Sequence, residues 1–506
     1  MKIARTRNTV KGSFWGIISR IISILFPFVI RTIIIRSFGM EYLGLNSLFT
    51  SILQVLNLSE LGLSSAIVYS MYKPVAEENN FEIGALLRLY RKLYRWIGVA
   101  VLSLGLLCTP FVPYLIKADY PREINIYYLF LIFLSNTSLS YLLFEYKESI
   151  LNAYQRNDII NKLRIVANLG MYIVQIATLL ILKNYYLYAL QMVVFTIIRG
   201  ILISVTVDRL FPEIKEEGVV CDETKKKIKE TTLGAAIGKV CSATRGTCDN
   251  IIISAFLGLH LLAIFDNYYY ILASIVSILS VIEQSLVAGV GNSIETESVD
   301  KNQRDFTTIN FLYMWIVGFC TTCLICMYQP FMILWVGNEQ LVSTSTMLLF
   351  GLYFYVYGLS SIPSVYANAN GLWWKMKTKS IFEVVLNLGL NYMFVKLWGI
   401  NGILIATIST LVFISFAWCS LVLFHNYFKQ LRIRELFLRH VLYFLITVVS
   451  VVVSFYLCSL VVISSLVLKL VFNLVVCFFV SNLIYLIAYC WTSEFKQARL
   501  LIRSII

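Results

Sequence analysis

Arg20 and Arg31 interrupt the run RIISILFPFVIRTIIIRSFG, residues 20–39, which is otherwise almost wholly apolar. An ionisable group deep in a bilayer costs about 2.5–3.5 kcal/mol on insertion scales, so it normally faces a cavity or a partner. Arginine brings a permanent charge and several hydrogen-bond donors. At 100° per residue, Ser13, Arg20, Pro27 and Arg31 lie within about 20° of Arg20's direction and form one stripe. Pro27 removes a backbone donor from that stripe and kinks a helix there. Arg36 lies at the outer interface. A plainer reading also fits: Arg20 is about 10 Å from the inner end of its span and can snorkel inward, as Arg31 can outward.

Three further apolar runs carry polar faces. Asn46, Asn57, Glu60 and Ser64 fall within about 40° of one another in the second run. In a later run Lys239, Gly246 and Asn250 share a face, and Arg245 and Asp249 sit four apart beside it, spaced to pair. In the next, Asp266, Tyr270, Ser277 and Gln284 make a stripe with Glu283 to one side. Elsewhere ionisable residues are sparser: Arg199, Glu383 and Lys469.

The elements that must hold these groups follow from composition. Of 506 residues 59% are hydrophobic and 14% charged, and the mean hydropathy is +0.77. Apolar runs of span length recur from end to end, so the chain is expected to be an all-α integral membrane protein. Fourteen spans are predicted: 13–35, 43–72, 96–116, 126–146, 165–182, 186–207, 234–257, 263–289, 309–335, 343–369, 381–397, 401–424, 441–463 and 467–491. The first is read as a retained span, since it lacks a small-residue cleavage site.

Of the 42 Lys and Arg, 31 fall in the tails and in loops after even-numbered spans, and only 4 after odd-numbered spans. Both termini are therefore expected to be cytoplasmic. The net charge of +14 is mainly this topological signal, and nucleic-acid binding is the poorer reading. Spans 1–6 and 7–12 form two sets of six that start on the same side, the arrangement of a parallel repeat about the membrane normal. An offset of 219 residues lays Arg20 on Lys239, Gly39 on Gly258 and Gly44 on Ala263, while an offset of 222 instead matches Gly12 and Gly16 to Gly234 and Gly238. The expected organisation is an N-terminal lobe at 1–208, a cytoplasmic linker at 209–232, a C-terminal lobe at 233–425, and spans 13–14 with the tail at 426–506. The polar stripes then belong to the first two helices of each lobe, where a cavity between lobes would be lined.

Segment 81–95, FEIGALLRLYRKLYR, alternates apolar and basic positions at helical spacing and is expected to lie along anionic lipid. The eleven cysteines mostly lie in apolar runs, where a thiol packs as a small hydrophobe. Cys320, Cys323 and Cys326 are spaced like a metal site but have no His or carboxylate nearby, so packing is the expected role and no metal is assigned. GAAIGKV at 234–240 lacks the spacing of a phosphate-binding loop. No catalytic residue is assigned and the chain is not read as an enzyme.

FGMEYLGL (38–45), LSELGLSSA (58–66), ILNAYQR (150–156) and TCDNIIISAFLGL (247–259) resemble bacterial polysaccharide flippases of the Wzx type, in the multidrug/oligosaccharidyl-lipid/polysaccharide exporter superfamily. The resemblance runs the length of the chain. Glu60 stands where many relatives of this kind have Asp. The resemblance implies two six-helix lobes around a central cavity, with helices 13 and 14 added. It implies a plasma-membrane protein that flips an oligosaccharide repeat unit on undecaprenyl pyrophosphate for capsule or O-antigen-type export by alternating access.

On that basis Arg20, Arg31, Lys239 and Arg245 are the candidates for the pyrophosphate. Asn46, Asn57, Asn250, Tyr270 and Gln284 are the candidates for sugar hydroxyls. Glu60, Asp249, Asp266 and Glu283 either bind a coupling H+ or Na+ or balance the arginines. No other cofactor is implied. Partners would be the lipid-linked oligosaccharide, membrane lipids, and a polymerase with its assembly proteins. The alternatives are a lipid II flippase, a cation-coupled multidrug exporter on the same fold, and a non-transporting scaffold.

Overall fold

A computed structural model describes residues 5–57, 62–117, 120–428 and 433–505; within the helices, the side chains of 5–10, 13, 227, 230, 231, 233–242, 245, 288 and 501–505 are outside the description. Every regular element among the described residues is helical. Among the described residues, eleven helices are long and apolar enough to cross a membrane, or twelve when the bent pair Ile126–Leu142 and Phe144–Ala153 counts as one span. The chain divides into two compact units, Met1–Ala263 and Ile264–Ile506.

The first unit comprises α1 (Arg5–Ser37), α2 (Met40–Leu56), α3 (Leu63–Ala76), α4 (Asn80–Cys108), α5 (Ile126–Leu142), α6 (Glu148–Ala153), α7 (Asn157–Ala177), α8 (Tyr185–Leu210), α9 (Asp222–Leu257) and the first turn of α10 (Leu259–Thr296). Helix α1 packs on α7 and α9 on α2 and α3. Gly12 and Gly16 bring α1 against Asn157 and Asn161, and Asn161 donates to the Gly12 carbonyl at 3.2 Å. The turns that start α2 and α10 share a backbone form: Gly39 and Gly258 have φ of 107° and 96°. L side chains rarely adopt that region, which accounts for glycine at both positions and agrees with the 219-residue offset.

Two expectations need correction. Segment 81–95 does not spread its apolar face on lipid. It is the first part of α4, capped by the Asn79 side chain, and Ile83, Leu86, Leu87, Tyr90 and Tyr94 are buried in protein. The loop after α8 covers it. Arg88 donates to the Gly218 carbonyl at 3.2 Å, Arg91 pairs with Glu216 at 2.5 Å, and Tyr146 donates to Glu216 at 2.7 Å. The periodicity was genuine, but periodicity does not reveal whether lipid or chain fills the apolar side. Second, α2 ends at Leu56 with Asn57 as its C-cap, and α3 restarts after Gly62 at φ 111°. The single face inferred for Asn46, Asn57, Glu60 and Ser64 therefore does not run through one helix.

The second unit holds the rest of α10, α11 (Val299–Val336), α12 (Thr344–Leu359), α13 (Ser361–Ala369), α14 (Trp373–Trp398), α15 (Ile400–Thr410), α16 (Cys419–Asn426), α17 (Ile433–Leu460), α18 (Leu466–Tyr489) and α19 (Ser493–Ile505). Helix α11 is the hub, packing on α12, α17 and α18. On α14, Glu383, Asn387 and Asn391 are spaced four apart and all buried, with Lys379 one turn before them. Glu383 pairs with Lys379 at 3.2 Å and accepts from Ser415 at 2.5 Å. Asn387 donates to Thr407 and Thr410. A run of polar groups is stable in an apolar helix pair only when its members satisfy one another in this way.

Candidate functional site

In the first unit Arg31 of α1 and Asn46 of α2 approach tyrosines of α8, while Asn250 of α9 meets α2 instead. Arg31 is half-buried and within electrostatic reach of Tyr185 and Tyr188. Asn46 donates from Nδ2 to the Tyr188 hydroxyl at 3.3 Å and accepts from Thr50 at 3.4 Å. Tyr185 donates to the Tyr42 carbonyl at 3.0 Å, with the two rings edge-on, 4.9 Å apart. Across the α2–α9 contact, Asn250 donates to Ser51 at 3.1 Å, and Asp249 beside it is buried. Arg20 is exposed. It lies on the flank of the α1 face that carries the buried residues Ser19, Ile30 and Ile34, about 40–100° away by helical geometry. Asn57 is half-buried, and its Oδ1 has no hydrogen-bond partner among the described residues. Glu60 and the side chains of Lys239 and Arg245 lie outside the described residues.

In the second unit, Glu283 accepts from the Tyr313 hydroxyl at 2.5 Å, and that hydroxyl lies 3.1 Å from the Ser361 hydroxyl. Asp266 and Tyr270 are half-buried and Gln284 is exposed. Glu283 is thus engaged by a phenol on α11, a partner that sequence spacing did not suggest.

Sequence reasoning missed Tyr185 and Tyr188. A tyrosine counts as apolar in hydropathy patterns, and its hydroxyl becomes visible only when a donor such as Asn46 is brought to it. It also left Arg199 undecided. That side chain pairs with Glu148 at 2.9 Å and Glu145 at 3.4 Å, which makes it a tie between α8 and the α5–α6 bend. Lys147 is similar: it is buried and reaches Asp208 at 2.7 Å and Ser204 at 2.9 Å.

Arg31 with phenol and amide groups around it suits an anion whose neighbouring hydroxyls also need partners. The class of protein defined by these helices is a multi-pass membrane protein. A multidrug resistance MATE family transporter of the MOP superfamily, in an inward-facing conformation, superposes with a TM-score of 0.63 at 16% identity, covering 80% of this chain and 97% of its own. The lipid II flippase MurJ, in an inward closed conformation, superposes with a TM-score of 0.65 at 15% identity, covering 95% and 99%. The Vibrio cholerae MATE transporter VcmN gives 0.58 at 13% identity, covering 85% and 98%. At these identities the likeness is one of fold.

Residues 9–287 match the sequence model of the polysaccharide biosynthesis protein family, more than half of the chain, and the protein belongs to that family. No curated protein matches it. It is a multi-pass membrane protein by the length and hydropathy of its helices, with the fold seen in the MATE transporter and lipid II flippase structures.

Proposed function

We propose that this protein flips undecaprenyl-pyrophosphate-linked oligosaccharide repeat units from the inner to the outer leaflet for capsule or O-antigen-type export. The observation that carries the reading is Arg31, half-buried in an apolar helix and grouped with Tyr185, Tyr188 and Asn46. A pyrophosphate crossing a bilayer needs fixed positive charge, and sugar hydroxyls need donors and acceptors beside it. Arg20, Lys239 and Arg245 extend the anion site. Asn57, Asn250, Tyr270 and Gln284 serve the sugars.

The full mechanism uses fourteen spans with both termini cytoplasmic, and two six-helix lobes that rock to expose the site alternately to each side. Glu60, Asp249, Asp266 and Glu283 take up the coupling H+ or Na+ or offset the cations. A multidrug exporter is disfavoured by the surplus of Arg and Lys on spans 1 and 7. Lipid II itself remains the alternative cargo.

The test is the triple change Arg20→Ala, Arg31→Ala and Lys239→Ala. Each lost charge-assisted contact is worth about 1.5–3 kcal/mol, so the variant should stay in the membrane while surface polymer and proteoliposome flipping of a labelled polyprenyl-pyrophosphate oligosaccharide both disappear. Normal output from it sinks the assignment of these residues. Transport of lipid II in place of the oligosaccharide would transfer the site to the other cargo. A changed drug-sensitivity panel on gene deletion, with polymer intact, would favour the exporter.

A further inference from the structure

Four of the eleven cysteines converge where α11, α17 and α18 meet. The sulfurs of Cys326, Cys458 and Cys477 all lie within 4.8 Å of one another, and all three residues are buried. Cys323, one turn before Cys326, is half-buried and packs on the same cluster. These positions span residues 323 to 477 on three helices, so no local motif forces them together.

We propose that this cluster is a binding site for a thiophilic d10 metal ion, Cu(I) or Zn2+, held by Cys326, Cys458 and Cys477 with Cys323 as the fourth ligand for Zn2+. Soft thiolate ligands select these ions. Zn–S bonds of about 2.3 Å set the sulfurs of a tetrahedral site roughly 3.8 Å apart, so the observed spacing needs only a small contraction. As each S–metal bond forms, the thiol gives its proton to solvent, and no electrons are transferred.

The surroundings fit such a site in two further ways. Three thiolates around Cu(I), or four around Zn2+, leave a net charge of −2 in an apolar region. Lys469, the single Lys, Arg, Asp or Glu between 441 and 491, interacts electrostatically with Cys458 and offsets part of that charge. Asn473, buried one turn before Cys477, donates to the Cys326 carbonyl at 3.0 Å and so ties two ligand-bearing helices together next to the sulfurs. Outer partners of this kind fix ligands in metal sites. Filling the site would fasten the α17–α18 hairpin to α11.

The test uses the full-length purified protein, reduced and stripped of metal, titrated with Cd2+ as a spectroscopic stand-in for Zn2+, and with Cu(I) and Zn2+ against chromogenic chelators. The expected result is one equivalent bound, with a thiolate-to-Cd2+ charge-transfer band in the ultraviolet. Cys326→Ser, Cys458→Ser and Cys477→Ser should each weaken binding at least about tenfold, the scale on which even outer partners act. Cys108→Ser and Cys490→Ser should bind as the parent does. Cys323→Ser should weaken Zn2+ binding more than Cu(I) binding. Absence of the band in the parent protein overturns the proposal without any variant. So does a band indifferent to all three serine changes, or a disulfide among these residues in protein that takes up no metal after reduction.

Discussion

Replacing Lys379 with Met is expected to destabilise the protein by about 3–5 kcal/mol, while the double change Lys379→Met and Glu383→Met should recover most of the loss. The Lys379 and Glu383 side chains are only 14% and 8% exposed. Removing the ammonium leaves a carboxylate with one hydroxyl partner, Ser415, in an apolar helix pair. The cost is the desolvation of an unpaired charge rather than the net worth of the pair, which desolvation largely cancels. Taking out both charges removes the cause. Ser415 then loses its carboxylate acceptor, which costs about 1–3 kcal/mol at most, so recovery is incomplete. A thermal-unfolding cycle on the parent, the two single variants and the double variant measures the coupling. Additive effects would mean that the pair is not a unit.

That pair also marks where reading the sequence stopped. The all-helical membrane class followed from apolar runs alone, and the structure agrees because length and hydropathy are local properties. Eleven of the fourteen predicted runs fall on helical stretches long and apolar enough to cross a membrane among the described residues. The second predicted span did not, because Gly62 at φ 111° separates α2 from α3 and hydropathy does not register a turn. Arg31 was legible as a functional candidate because a charge in an apolar run is conspicuous.

Its neighbours were not legible in this way. Tyr188 belongs to a run 142 residues from Asn46, and nothing in either run specifies the other. Glu283 and Tyr313 show the same limit at shorter range: the carboxylate stood out, but its phenol partner on the next helix was scored as apolar. The cysteines invert the lesson. The spacing of Cys320, Cys323 and Cys326 was read as packing for want of other ligands nearby in sequence, yet α17 and α18 bring Cys458 and Cys477 to two of those three residues.

Gly44→Val is expected to cost more than the roughly 1–3 kcal/mol of ordinary overpacking and to abolish polymer export at temperatures where the parent is stable. A Cβ at residue 44 would run into the carbonyl oxygen, carbonyl carbon and Cα of Leu259. These are backbone atoms and have no rotamer to change. Nor can the chain swing away freely, because Leu259 follows Gly258, whose φ of 96° fixes the turn between α9 and α10, and the next residue, His260, contacts Glu41 at 3.2 Å. Helix α2 must therefore lift.

Asn46 lies on the same turn of α2 and reaches Tyr188 at 3.3 Å, a hydrogen bond that a displacement of even about 0.5 Å takes beyond useful length. Gly44→Ala meets the same carbonyl with a smaller group and should fall between parent and Val. Gly289→Ala is the control. Nothing lies within 4 Å of its added methyl and it sits inside α10, so the change should be neutral or stabilising by up to about 1 kcal/mol. Thermal unfolding and surface polymer measured on all three variants separate the two effects. A Gly44→Val protein that melts with the parent and still exports polymer would mean that α2 and the start of α10 are not held in this contact. The Asn46–Tyr188 hydrogen bond would then lose its structural support.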